Sequence, residues 1–171
     1  LYPEASYSFD GTATPLPDTI SPLCKMMRVP VVMIRTYGAF TRDPLYNGLR
    51  LRKVPVTAEM TCLYTAEEVQ TADAAEIQKR INEFFTFDHF RWQRETNTAV
   101  TEPFRAEGLE RVLYKCRNCG AEGTTHGHGT VLTCDHCGAA WEMDEYGTLH
   151  RGEESLWIPQ WYAWEREAVR E

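Results

Sequence analysis

An α/β fold followed by a small β module is what this sequence predicts, and three stretches carry the prediction. Val29-Pro-Val-Val-Met-Ile34 is a continuous apolar run. Such a run fits a strand covered on both faces, as in a parallel sheet with helices on each side. Beyond Ala74, the residues Ile77, Ile81, Phe84 and Phe85 recur at helical spacing, with Lys79, Arg80 and Glu83 outside. That pattern predicts one amphipathic helix from about Asp73 to Phe85. Two Cys-x-x-Cys-Gly knuckles, Cys116 to Gly120 and Cys134 to Gly138, close a short glycine-rich segment near the end.

The 171 residues, 43% of them apolar, suffice to bury a core in one or two domains. We divide the chain into an α/β part at 1–107 and a ribbon with an aromatic tail at 108–171. No run reaches the ~18 apolar residues of a membrane span. The net charge of −7 is uneven, because residues 1–55 hold seven Lys/Arg against four Asp/Glu while the ribbon and tail are acidic. A basic first third suits anionic substrates or a phospholipid surface. The acidic ribbon and tail argue against nucleic acid, which needs clustered cations against its phosphates.

Taken in order, Leu1 to Gly11 reads as a strand end and a loop. There is no initiator Met, and we expect the chain to be part of a longer protein. Thr12 to Pro22 holds Pro15, Pro17 and Pro22 and is a loop. Ser21 is placed to cap a short helix from Pro22 to Met27. Leu49 to Val56 alternates apolar residues with Arg50, Arg52 and Pro55, its phase slipping at Lys53. It reads as a half-exposed or edge strand with one basic face, either solvated or set against a membrane surface. Thr65-Ala-Glu-Glu68 is a capping-box pattern, with Thr71 or Asp73 as a further cap. Phe87 to Glu95 adds a helical turn or two. Glu102 to Glu107 is a linker and Leu109 to Lys115 a β-prone entry to the ribbon. A β-hairpin is predicted to turn at Asp144 to Gly147. The tail from Ile158 reads as a helix, with Trp157, Trp161 and Trp164 on one face in need of a partner surface. Phe84, Phe85, Phe87, Phe90 and Trp92 read as core between helix and ribbon, or alternatively as an acyl-chain channel.

The knuckles carry the first chemistry. A Cys-x-x-Cys turn aims both sulfurs at one point, and two such turns supply Cys116, Cys119, Cys134 and Cys137 as the four thiolates of a tetrahedral Zn²⁺ site. Thr130-Val-Leu-Thr133 is β-prone, so the segment between the knuckles reads as two short antiparallel strands, a zinc ribbon. Two disulfides or a redox pair would use the same residues, but disulfides imply secretion and no signal peptide is visible. Four thiolates close the shell, which makes the zinc structural. His126, His128 and His136 are nearby substitutes that four cysteines make unnecessary. Cys24 and Cys62 are expected as buried thiols of a reducing compartment.

The N-terminal stretch carries the second. Leu1-Tyr-Pro-Glu-Ala-Ser-Tyr-Ser8, followed by Val29-Pro-Val-Val-Met-Ile34, resembles two blocks of the glycerolphosphate/lysophosphatidic acid acyltransferase family. The first corresponds to its Phe-Pro-Glu-Gly-Thr-Arg-Ser block, which contacts the phosphate and glycerol of the acceptor. Pro3, Glu4 and Ser8 match, and Ser6 stands for the threonine. Ala5 replaces the glycine and Tyr7 the arginine. Tyrosine cannot imitate a bidentate phosphate ligand, so either the acceptor is non-standard or Arg35, Arg28 or Lys25 would supply the charge. Together with the ribbon, this resembles a bacterial subgroup of the family that carries a C-terminal zinc ribbon. The family blocks cover roughly residues 1–60.

The resemblance implies the C-terminal part of an acyltransferase sheet with flanking helices. It also implies a peripheral protein at the cytoplasmic membrane face. The implied donor is acyl-CoA or acyl carrier protein, and the acceptor is of glycerol-phosphate type. Glu4 would orient substrate or hold the architecture, Ser6 and Ser8 would donate hydrogen bonds to phosphate, and Arg35 would pair with it. Glu4 and Ser8 also fit an ordinary strand-to-loop turn. The family's catalytic His-x4-Asp pair has no counterpart, because none of the five histidines has Asp five residues later. This chain is therefore expected to bind rather than catalyse. The alternative is a non-enzymatic zinc-ribbon module that binds another protein.

Overall fold

The computed structural model describes residues 2–4 and 6–170. Leu1, expected to end a strand, and Ala5, at the family's glycine position, lie outside the described residues. The fold is mixed α/β, with one two-stranded and one five-stranded sheet, both antiparallel, and helices.

The first sheet pairs β1 (Val31–Tyr37) with β2 (Thr57–Tyr64), Ile34 lying opposite Met60 and Arg35 opposite Glu59. Its inner face packs on α1 (Ile20–Met27), α3 (Ala66–Thr71) and α4 (Ala74–Phe85) around a core of Ile20, Leu63, Tyr64, Val69, Ile77 and Ile81. Its outer face is open, with Ile34 64% and Met60 72% exposed. This corrects the expectation of a parallel sheet covered on both faces. The chain folds back on β1 instead of crossing over, so the outward side chains of β1 have no helix above them.

The strand expected over Leu49 to Val56 is also corrected, because those residues are irregular and lie before β2. Leu49 has φ +57°, which breaks an extended run. The basic face expected there dissolves. The Arg52 guanidinium is buried and donates to the Thr41 carbonyl, the Tyr46 hydroxyl, Asn47 Oδ1 and the Arg105 carbonyl. Arg50 pairs with Glu107 and lies over the Phe104 ring.

α1 begins at Ile20 behind Thr19, so Ser21 sits inside the helix and is buried rather than capping it. The Thr65 and Glu68 capping box is complete, each residue's side chain accepting from the other's backbone N–H. Asp73 occupies the cap position of α4 without a side-chain bond. Cys62 is exposed and Cys24 half-buried, where both were expected inside.

A short α2 (Ala39–Arg42) and α5 (His89–Glu95) lead to the second sheet. It is a meander of β3 (Thr125–His128), β4 (Val131–Cys134), β5 (Ala140–Met143), β6 (Thr148–Arg151) and β7 (Glu154–Trp157), closed by α6 (Ile158–Arg170). The hairpin at Asp144 to Gly147 forms as the sequence indicated. Leu109 to Lys115, read as β-prone, is a short 3-10 turn over Leu109–Arg111 followed by a single bridge from Lys115 to Glu122.

The core of this half draws on the whole chain. Tyr46 and Phe90 from the first half lie with Leu109, Leu113, Leu132, Trp141, Leu149, Ile158 and Trp161. The α6 tryptophans find their partner surface here, Trp161 buried edge-on to Trp141 at 5.2 Å between ring centroids and Trp164 half-buried beside it. Of the five aromatics expected between helix and ribbon, Phe90 alone joins this core. Phe84 and Phe85 pack against the first one, and Phe87 and Trp92 line a surface groove.

Candidate functional site

The two knuckles are built alike. In each, the first cysteine's N–H donates to a carbonyl five residues on, Cys116 to Ala121 and Cys134 to Ala139, both at 2.8 Å. The glycine after the second cysteine donates back to the first cysteine's carbonyl, from Gly120 at 2.9 Å and from Gly138 at 2.8 Å. Both glycines have positive φ, +74° and +69°, which an L side chain resists. The pairing of β3 with β4, Thr125 opposite Cys134, brings the two turns together.

All four sulfurs lie within 4.8 Å of one another. Sγ of Cys116 is 3.7 Å from that of Cys137, and Sγ of Cys119 is 3.8 Å from that of Cys134. Sulfurs bound at 2.3 Å to one tetrahedral centre stand about 3.8 Å apart, so the spacing fits a zinc-sized ion. Burial pushes the Cys116 thiol up to about 12. Burial acts the same way on Cys134, but hydrogen bonds from the Thr124 hydroxyl and the Cys137 and His136 N–H groups outweigh it and hold that thiol at about 6. Asn118 Nδ2 reaches Cys137 Sγ at 3.4 Å while its Oδ1 accepts from Arg151 at 2.7 Å, which fixes the first knuckle to β6. The cysteines thus form a candidate metal-binding site consistent with zinc. His126, His128 and His136 stand outside it, exposed, with His126 Nε2 3.1 Å from Asp135 Oδ2.

A second site lies in the first half. Residues 10–14 run across the junction of α4 and α5, where the His89 N–H donates to the Gly11 carbonyl at 2.8 Å and the Ala13 N–H to the Phe87 carbonyl at 3.1 Å. Glu4 is tied to this segment, its Oε1 accepting from the Thr14 N–H at 3.0 Å and from its hydroxyl at 3.2 Å. A cavity of about 130 Å³ opens beside it, lined by Glu4, Ser8, Arg35, Thr36, Phe87 and His89 among others. Three of the four residues expected at substrate therefore share one cavity. Ser6 does not line it, being exposed with its hydroxyl on the Glu4 carbonyl at 3.3 Å. The Ser8 hydroxyl donates to the Thr12 carbonyl at 2.7 Å, so its proton is already committed.

Arg35 forms no ion pair among the described residues, and its guanidinium lies over Phe84 at 4.2 Å and Phe87 at 5.4 Å from the ring centroids. Across the wall formed by Thr12, Ala13, Phe85 and Phe87 runs a larger groove of about 850 Å³, with Tyr37 and Trp92 in its lining. Sequence reasoning passed over His89. The aromatic residues on both sides of it were the available sign, since they mark a position where a polar ring is held among apolar ones.

Among the described residues, no helix is long and apolar enough to cross a membrane. Comparison with known protein families, with characterised proteins and with solved structures finds no match to this chain.

Proposed function

We propose that this chain is the acceptor-binding, C-terminal portion of an acyltransferase of the glycerol-phosphate type, steadied by a structural zinc ribbon. One observation carries the reading. Glu4 and Ser8 from the first loop and Arg35 from β1 line a single small cavity in which the arginine has no carboxylate partner among the described residues. A guanidinium free of ion pairs is suited to a planar, two-point grip on phosphate. Glu4 holds the loop through Thr14 and Ser8 holds it through Thr12, so both shape the cavity. In the complete reaction the acceptor hydroxyl oxygen attacks the thioester carbonyl of acyl-CoA or acyl carrier protein, and the thiol leaves. No histidine of this chain has the aspartate spacing of the family's base, so deprotonation of that hydroxyl is not assigned to it.

Zinc held by Cys116, Cys119, Cys134 and Cys137 would clamp the knuckles, since a small glycine-rich sheet gains from a metal what it lacks in apolar burial. A closed four-thiolate shell leaves no position for substrate.

Calorimetric titration of the zinc-loaded chain with glycerol 3-phosphate tests the acceptor reading. Binding that is lost in Arg35→Ala and never seen with glycerol is the expected result. Absence of binding, or equal binding by Arg35→Ala, rejects it. The exposed apolar outer face of the first sheet favours a second reading, a non-enzymatic module that binds a protein. That reading gains if glycerol 3-phosphate fails to bind.

A further inference from the structure

We propose that His89 is a second ligand-reading group of the Arg35 cavity, donating an uncharged N–H to the oxyanion that Arg35 attracts. The inference rests on the acceptor-binding reading above. It starts from which donors the cavity can still offer. The Ser8 proton is spent on the Thr12 carbonyl, and the Thr12 hydroxyl is on Asp10 Oδ1 at 2.9 Å. Glu4 brings acceptors only. Of the side-chain donors in the lining, Arg35, Thr36 and His89 remain.

His89 is the one held rigidly. Its ring is stacked on Phe40, with centroids 5.4 Å apart and planes at 28°, and stands edge-on to Phe87 at 4.7 Å. Its backbone N–H is fixed to the Gly11 carbonyl. Phe87 also lies under the Arg35 guanidinium, so imidazole and guanidinium flank the same ring.

The tautomer follows from burial. Nδ1 is buried with no hydrogen-bond partner among the described residues. A proton there would be an unsatisfied donor, so the neutral ring carries its proton on Nε2. Burial, only partly opposed by the Asp88 charge, lowers the imidazole to about 4. The ring is thus neutral at physiological pH. It donates beside Arg35 without adding like-charge repulsion, and its fixed orientation costs a bound phosphate little ordering.

The test uses the whole zinc-loaded chain with inorganic phosphate and with glycerol 3-phosphate as probes. Nitrogen-15 spectra of the histidine rings should show the protonated Nε2 of His89 shifting on titration while Nδ1 keeps its unprotonated signature. His89→Phe, which preserves the stacking on Phe40, should weaken binding roughly tenfold or more, the loss of a hydrogen bond to a charged group. His89→Gln, which restores a donor, should bind within about threefold of the parent on the same scale. If neither probe binds the parent chain, this inference and the acceptor-binding reading both fail. If the parent binds but its His89 resonances stay fixed and His89→Phe binds equally, His89 plays no part and the Arg35 reading stands.

Discussion

Gly147→Ala is the substitution that most directly tests how the two halves of the molecule are joined. Gly147 closes the turn between β5 and β6 at φ +80°, with the Asp144 carboxylate accepting from the Tyr146 and Thr148 N–H groups, each at 2.8 Å. A Cβ at this position would stand 2.3 Å from Phe90 Cδ1 and 2.5 Å from its Cε1. Phe90 is 3% exposed and edge-on to Phe40 at 5.7 Å, so the ring has nowhere to swing.

The left-handed backbone costs an alanine roughly 1–2 kcal/mol and overpacking a filled core roughly 1–3 kcal/mol, for a total loss of about 2–5 kcal/mol. Urea denaturation of the metal-loaded protein, followed by the fluorescence of buried Trp141 and Trp161, reads it directly. Phe90→Leu in the Gly147→Ala background removes the clash but leaves the backbone strain, so the two changes should couple favourably by about 1 kcal/mol or more. A Gly147→Ala loss below about 0.5 kcal/mol, or strict additivity with Phe90→Leu, would refute the contact as the joint between the halves.

Cys116→Ser or Cys134→Ser should abolish stoichiometric zinc binding and unfold the ribbon, measured by metal content and near-ultraviolet circular dichroism; retained zinc with unchanged stability rejects the four-thiolate site. Glu165 is fully buried, its Oε1 accepting from the Lys115 N–H at 2.8 Å and its Oε2 without a hydrogen-bond partner among the described residues, and burial pushes its carboxyl up to about 7. A carboxyl raised in the folded state favours folding below its ordinary value of 4.5, and that advantage is lost as pH climbs through 7. Glu165→Gln should therefore be more stable than the parent at pH 8, by on the order of 2–3 kcal/mol, with the gap closing toward pH 4.5; a gap independent of pH would exclude burial of the charge as its cause. Arg52→Lys should cost about 2 kcal/mol or more in thermal or urea unfolding, because an ammonium cannot span the four acceptors that the guanidinium serves, and a neutral result would show that the fork is dispensable.

The parts of this fold that were legible in the sequence are those fixed locally. The Thr65 capping box, the helical face of Ile77 and Ile81, the hairpin before Gly147 and the two cysteine knuckles each place partners within a few residues of one another. Pairing between distant segments was not legible. β2 was missed because its alternation is inverted, with Ala58, Met60 and Cys62 outward and Thr61 toward the helices. The run from Leu49 to Val56 imitates a strand because Arg52 and Val54 turn inward from an irregular loop, the first toward acceptors and the second toward the core. At the cavity, the sequence singled out Glu4, Ser8 and Arg35. It could not show that both serine protons would be taken up by carbonyls of the loop itself. Nor could it bring His89 beside them, since that follows from where α5 docks.

The core that joins Tyr46 and Phe90 to Ile158 and Trp161 also sets a timetable for synthesis. A ribosome adds about 5–20 residues each second, so the tyrosine is made on the order of ten seconds before the tryptophan that completes its core. Until then Tyr46, and Phe90 once it is made, lack the Ile158 and Trp161 that complete their core, and the cysteine knuckles are synthesised before α6. The nascent chain therefore carries unfinished apolar surface until synthesis nears the end of this sequence.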